Sequence, residues 1–428
     1  MPLLSSVLLK MGVSQPLQRF INELLVLLLI VPGRSTFRNL SRYSGYVEKT
    51  FSRWFRRSLD WAKLNVMAIR AVVPADHESI LAFDPSYMAK SGQHTEGLGY
   101  FWNSSVGRAQ RGLEVNVLSW VDVTANTAYA LSAEMTPPGE SKGDSKTPVA
   151  KNTSRGRKKG KGKKDKGRTA DGEASRVEAY LAHLKRIIPA YDLADLRYLT
   201  ADGFFSKVKF VDGVIDLNLH LISKLRGDAD ARYLYTGPYR GRGAPRRYAG
   251  KVNWNDRNPE VFIEVDSPDP DHRFETALVY LPRLRRTVRV VVVIEQRTQR
   301  RALLFSTDCS IDPLTLYRYY KARFQIEFLF RDSKQFAGLT HCQARRTEAL
   351  TFQVNASLTT VSISKLQAFQ THGQRGVPFS MASLARRAFN AHFLKKVFAH
   401  LAPGQTLKEH TPEYETLCNY GVIQPISA

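Results

Sequence analysis

The sequence is short of acid and short of long apolar runs. Its 428 residues carry 63 Lys and Arg against 39 Asp and Glu, a formal net charge of +24. That excess excludes the near-neutral balance of an ordinary small-molecule enzyme and points to a polyanionic partner, nucleic acid before an anionic membrane. The longest apolar run, 24-LLVLLLIV-31, has eight residues. At ~1.5 Å per residue it spans ~12 Å of a ~30 Å hydrocarbon core, so it reads as a buried helix and no membrane is expected. It has no small-residue cleavage site and is followed by Pro32, Gly33, Arg34 and Arg38, so a secretory leader is not expected either. Cysteine is scarce: Cys309, Cys342 and Cys418 are scattered, with no C-x-x-C spacing. This excludes a disulfide framework or a structural zinc site and fits a reducing cytoplasm. The adjacent His341 and Cys342 have no second pair nearby and read as incidental. No internal repeat is apparent.

What is present is 43% hydrophobic residues, enough to bury cores for two or three domains. Residues 1–75 read as helical, with Ser35 or Thr36 and Ser44 as N-caps and a helix over 46-YVEKTFSRWFRRSLDWAKLN-65. Short helices around a Gly-containing turn resemble a helix-turn-helix, in which Arg53, Arg56 and Arg57 would meet DNA; a basic helix packed on the rest of the chain is the alternative. Strands follow at 79–90, 113–123 and 127–135, the last two a hairpin turning at Asn126. Residues 139–173 hold no large apolar side chain but Val149, and 151–168 has ten Lys or Arg against one Asp. Such a stretch is expected to be a disordered basic loop, for solubility or for sequence-independent phosphate contact. A helix at 174–189, a strand ending near Asp202 with a helix from about Phe204, and a segment at 218–225 come next. Alternating segments at 273–282, 287–295 and 301–308 predict an antiparallel sheet, and 341–428 is mostly helical with a break at 375–380. This order predicts an α/β, RNase H-like core (76–227) with a β-rich insertion (228–310), completed by a helix at 311–350. Helical regions flank it at 1–75 and 351–428.

Phosphodiester chemistry near neutral pH needs hard oxygen ligands for one or two divalent metals, and carboxylates at strand ends or on a facing helix supply them. Asp84 follows the apolar 80-ILAF-83 and precedes Pro85, which is expected to end regular pairing; Asp202 follows 198-YLTA-201 and precedes Gly203. An Asp before Pro or Gly also simply forms turns, and Asp122 has the same claim by position. Glu327 lies in 320-YKARFQIEFLFRDSK-334. If that segment is one helix at ~100° per residue, Tyr320, Arg323, Glu327 and Lys334 share an arc of ~60° while Asp332 lies about 120° from Tyr320. Glu327 reads either as an aimed ligand or as a salt-bridge partner of its cationic neighbours.

The spacing Tyr320-x2-Arg323-x3-Glu327-x6-Lys334, with 83-FDPSYMAKSG-92, 200-TADGFFS-206 and 323-RFQIEFLFRDSKQFAGLTHCQAR-345, resembles the Y-R-E-K signature of DDE transposases from bacterial insertion sequences, the insertion-sequence-four-like group. The resemblance covers about 80 to 350. It implies Asp84, Asp202 and Glu327 as the catalytic and metal-binding triad, with Mg²⁺ (Mn²⁺ able to substitute) as cofactor. Water would cleave at the element's ends, and the freed 3′-OH would attack target DNA. Tyr320, Arg323 and Lys334 would hold terminal phosphates. The implied partners are the terminal inverted repeats, target DNA and a second copy of the chain in a synaptic complex; the implied setting is the bacterial cytoplasm, at the nucleoid. In the insertion, Trp254 is a candidate to stack on a flipped base or else an ordinary packed Trp. Arg240, Arg242, Arg246, Arg247 and Lys251 are candidates for phosphate contact among Gly241, Gly243 and Gly250. A noncatalytic DNA-binding descendant and a nuclease without strand transfer are the rival readings.

Overall fold

A computed structural model describes residues 1–139, 168–239, 241, 244–267, 269–372, 379–402, 407–409 and 411–423. Of the basic stretch expected to be a loop at 139–173, residues 140–167 lie outside these residues, as do Arg240, Arg242 and most of the break at 375–380; 168–173 is instead the start of a helix that runs to Ile187.

Five helices come first: α1 (Pro2–Lys10), α2 (Gln15–Ile30), α3 (Phe37–Arg42), α4 (Glu48–Trp54) and α5 (Trp61–Arg70). The apolar run is inside the protein, with Leu24, Leu25, Leu27, Leu28 and Ile30 of α2 all buried. No helix of the described residues is long and apolar enough to cross a membrane. Thr36 caps α3 by accepting from the Asn39 amide. Ser44 does not cap α4; its hydroxyl accepts from the Tyr46 N–H and closes a turn. The helix expected over 46–65 is in fact two, because Asp60 accepts the Lys63 amide at 2.9 Å and starts α5 afresh.

The core strands are β1 (Ser79–Ala89), β2 (Gly99–Asn103), β3 (Arg108–Asp122) and β4 (Thr127–Met135); then, after α6 (Arg168–Ile187), β5 (Tyr198–Ala201), α7 (Val208–Ile215) and β6 (His220–Leu225). β2 and β4 pair with one side of β3 and β1 with the other, all antiparallel. β5 lies parallel to β1, and β6 parallel to β5. The order β4-β3-β1-β5-β6, three antiparallel strands and then two parallel to the first, with helices as crossovers, is an RNase H-like core. The hairpin turn holds Asn126 at φ 49°, a left-handed conformation that Asn tolerates.

The insertion is β7 (Arg232–Leu234), β8 (Tyr248–Lys251), β9 (Ile263–Val265), β10 (His272–Leu281), β11 (Arg286–Glu295) and β12 (Arg301–Ser306). The three predicted segments are β10 to β12, paired antiparallel. β12 also pairs with β6, so insertion and core are one continuous sheet. The chain ends in α8 (Pro313–Ala322), α9 (Gln325–Phe336), α10 (Thr347–His372), α11 (Met381–Leu401) and α12 (Pro412–Cys418).

The aromatic core under the site gathers Phe83, Tyr180, Phe205 and Phe210, with Phe83 within 5.6 Å of both Tyr180 and Phe205. On the outer edge of β4, helix side chains take the place of a strand. Asn355 of α10 accepts from the Ala133 N–H at 3.0 Å and donates to its carbonyl at 2.9 Å. Ser362 accepts from the Ala130 N–H, Lys365 donates to the Ala128 carbonyl, and Asn65 of α5 donates to the Leu131 carbonyl. The helical ends of the chain thereby close the sheet edge that would otherwise pair with another chain.

Candidate active site

Asp84 stands within β1, not at its end. Pro85 continues the strand, opposite Asn116 of β3, contrary to the expected stop. What does end there is the other side: β1 pairs with β5 only over Leu81, Ala82 and Phe83, so Pro85 sits where β1 has one neighbour and its missing N–H is tolerated. Phe83 is opposite Ala201, so Asp84 and Asp202 are the next residues on adjacent parallel strands, about 4.8 Å apart in strand spacing. Asp202 terminates β5 and accepts the Phe204 N–H at 2.9 Å, starting a short 3-10 turn that leads to α7.

The predicted single helix over 320–334 is broken. α8 stops at Ala322, α9 starts at Gln325, and Ile326 and Glu327 donate to carbonyls three residues back across the junction. Tyr320 and Arg323 therefore belong to the end of one helix, Glu327 to the first turn of the next and Lys334 to its last. Both backbones at the junction stay in the right-handed region, so Arg323 still reaches Glu327: its guanidinium lies 3.2 Å from Glu327 and 3.8 Å from Asp84. Its side chain is 13% exposed, against 19% for Asp84 and 43% for Glu327. Lys334 donates to the Ser86 hydroxyl at 3.1 Å, on the face of β1 that carries Asp84. Tyr320 is half-buried, with Arg323 5.8 Å over its ring.

The electrostatics are those of crowded, dry acid. Asp84 is pushed up to about 7, first by burial, against the pull of Arg323, and further by Asp202, Glu327 and Glu114. Asp202 is raised by burial, opposed by the Phe204 N–H bond, Arg323 and Lys207. Lys334 is lowered by burial and steadied by Asp84. Arg323 is thus an internal counter-cation for the acids and is not free in this state. Among the described residues no group of three His, Cys, Asp or Glu stands close enough to hold a metal ion as placed.

Sequence reasoning missed Ser86 and Glu114. Ser86 is two residues from Asp84 on one strand face, a period-2 signal hidden by treating Pro85 as a stop. Glu114 is 3% exposed and bonds Arg176 at 2.5 Å and the Tyr180 hydroxyl, a long-range pairing with no local mark. Asp122 is committed elsewhere: it lies 2.7 Å from His77 and accepts the Ala125 N–H. Asp332 is buried against Arg331. The cysteines form no disulfide, and His341 accepts from the Ser35 N–H.

Of the DNA-contact candidates, Arg53, Arg56 and Arg57 are exposed, but only Arg53 lies on α4, the other two past its end. Arg57 covers the Trp54 ring, which stacks on Phe20. Arg246 and Arg247 are exposed, and Lys251 pairs at 3.8 Å with Asp230. Trp254 is 5% exposed, donates to the Ala229 carbonyl and packs on Phe262. It is the ordinary packed Trp of the two readings, with no ring face open to a base.

A family model described as DDE superfamily endonuclease matches residues 14–280, more than half of the chain. The match includes Asp84 and Asp202 and stops short of Glu327. Among solved structures, the chain is similar to one described as a piggyBac transposase synaptic complex with hairpin DNA, at 13% identity and TM-score 0.37, over 92% of this chain and 76% of that one. No match was found among curated proteins.

Proposed function

We propose, for a chain that belongs to the DDE superfamily endonucleases, that it is a DNA transposase of an insertion sequence, of the insertion-sequence-four-like group with the Y-R-E-K signature. The observation carrying this reading is the register of β1 and β5. It sets Asp84 beside Asp202 and, through Arg323, in reach of Glu327.

Asp84, Asp202 and Glu327 would hold Mg²⁺, with Mn²⁺ able to replace it. The donor set is oxygen only, as a hard cation prefers, and Asp84, held at about 7 first by burial and then by its acidic neighbours, is a dry carboxylate that a bound cation would help to ionise. Arg323 would have to leave Asp84 and Glu327 for both to share one cation. Bound metal would supply activation of the attacking oxygen and stabilisation of the leaving one. The chain's own residues do the rest. Arg323, once released, Lys334 and Tyr320 would hold the phosphates around the cut. In the first step water's oxygen bonds to phosphorus and the 3′-oxygen leaves as 3′-OH. In the second, that 3′-OH bonds to a target phosphorus and the target's own 3′-oxygen leaves.

We assign residues 1–75 to end binding, 76–227 and 311–350 to the catalytic core and 228–310 to DNA flanking the cut, with two copies pairing the terminal inverted repeats. Asp84→Asn, Asp202→Asn and Glu327→Gln should each reduce Mg²⁺-dependent end cleavage by at least about a thousandfold while retaining DNA binding. Undiminished cleavage in any one rejects that residue. Cleavage without joining to a target in the unaltered protein would leave a nuclease.

A further inference from the structure

We propose that the β2–β3 hairpin is a stacking platform for unpaired DNA, formed by Tyr100 and Trp102 with Arg111 beside them. Of five tryptophans, Trp102 is the exposed one, at 58%; Tyr100 is 73% exposed and Val106 at the turn 50%. Large aromatic rings held in water by a regular strand, where nothing in their own fold requires them, mark an interaction surface.

The register places them. Tyr100 is opposite Arg111 and Trp102 opposite Ala109, and directly paired residues share a face. All four side chains are exposed, while Phe101 between the two rings points the other way, is 1% exposed and lies under Arg176. The same parity runs unbroken along β3 through Leu113 and Val115 to Val117, which is opposite Asp84. The aromatic pair is therefore on the Asp84 face of the sheet. Cover over that face ends at the buried Met88 and Leu113, and the hairpin projects past it. Six to eight residues along β3 separate Val117 from Arg111 and Ala109, about 20–27 Å at ~3.4 Å each, the length of some six to eight base pairs.

The chemistry selects the occupant. Rings at alternate positions of one strand, next to an exposed guanidinium, suit bases that stack and a backbone that carries charge; a duplex, whose bases are already stacked, offers neither ring a partner. A shallow, open depression beside Tyr100 is lined by Tyr87, Arg108 and Arg111. The net charge of +24 favours a polyanion over an apolar protein partner. The link to the cut site rests on the function proposed above, whereas the surface does not.

The test uses the full chain in EDTA, so that it reads binding without cleavage and stands whether or not the transposase reading does. Affinity is compared for a blunt duplex and for the same duplex with a short single-stranded tail. The unaltered protein should prefer the tailed probe. The variant Tyr100→Ala/Trp102→Ala should lose about tenfold on the tailed probe and less than about twofold on the blunt one. Tyr100→Phe/Trp102→Phe should restore most of the loss. Should the double alanine variant melt early, Trp102→Gln alone carries the same comparison. Equal loss on both probes, no loss on the tailed one, or a changed oligomeric state in the variant would overturn the proposal, the last by making this face a contact between copies.

Discussion

At the scale of the residue, the site is governed by the cost of keeping several acids dry together. Asp84 rises from 3.8 to about 7 because burial and its acidic neighbours outweigh Arg323. A proton is then held more tightly folded than unfolded. The stability tied to Asp84 is fully present below pH ~4, falls as pH rises toward ~7 and stays lost above it. Asp84→Asn removes that dependence, so its melting temperature should gain on the unaltered protein between pH 4 and pH 8 by the equivalent of a few kcal/mol. Adding Mg²⁺ at pH 8 should raise the melting temperature of the unaltered protein more than that of the variant. A parallel pH response in the two proteins would mean that Asp84 is not strained by its surroundings. Trp254 and Trp102 carry the complementary lesson. The resemblance makes Trp254 in the insertion a stacking candidate, yet Trp254 is packed and the exposed ring is Trp102 on β2. The choice depends on which strand ends up at a sheet edge.

At the scale of the element, one short break and one covered sheet edge decide the geometry. The junction at Arg323 and Phe324 interrupts the helix, so that Arg323 caps the end of α8 while Glu327 opens α9. There Glu327 also has the favourable end of the helix dipole. The periodicity of 320–334 shows an amphipathic helix, and a two-residue interruption with right-handed backbone leaves almost no mark on that pattern. On β4 the helix α10 substitutes for a neighbouring strand. Asn355→Ala would strip partners from both the N–H and the carbonyl of Ala133 in a dry site, and should cost about 2–4 kcal/mol in denaturant unfolding. A loss under about 1 kcal/mol would show that the edge is held by packing alone. Because α10 is buried around most of its girth, its sequence lacks the one-sided apolar stripe that announces a surface helix.

At the scale of the whole molecule, excess positive charge implies salt-sensitive DNA binding. The logarithm of affinity for duplex DNA should fall linearly with the logarithm of salt concentration, and neutralising Arg53, Arg56 and Arg57 together should flatten that slope by up to about 3. An unchanged slope would remove these exposed cations from the DNA-facing surface. Net charge pointed to a polyanionic partner and the length of the longest apolar run to a buried helix, since charge and run length are fixed by the chain and folding does not alter them. Alternation and helical period determined β3, β4 and β10 to β12, and hence the RNase H-like order, because one buried face imposes its period locally. Residue type and position made Asp84, Asp202, Asp122 and Glu327 candidates, and the resemblance alone chose Asp84, Asp202 and Glu327 among them. Only the tertiary structure decided that Asp84 continues a strand, that insertion and core share one sheet through β6 and β12, that Arg323 lies against two of the acids, that Ser86 shares their face, and that Glu114 raises Asp84 from the opposite face of the sheet. Each of these rests on partners far apart in sequence, whose pairing is set by strand register and by which surface is left dry.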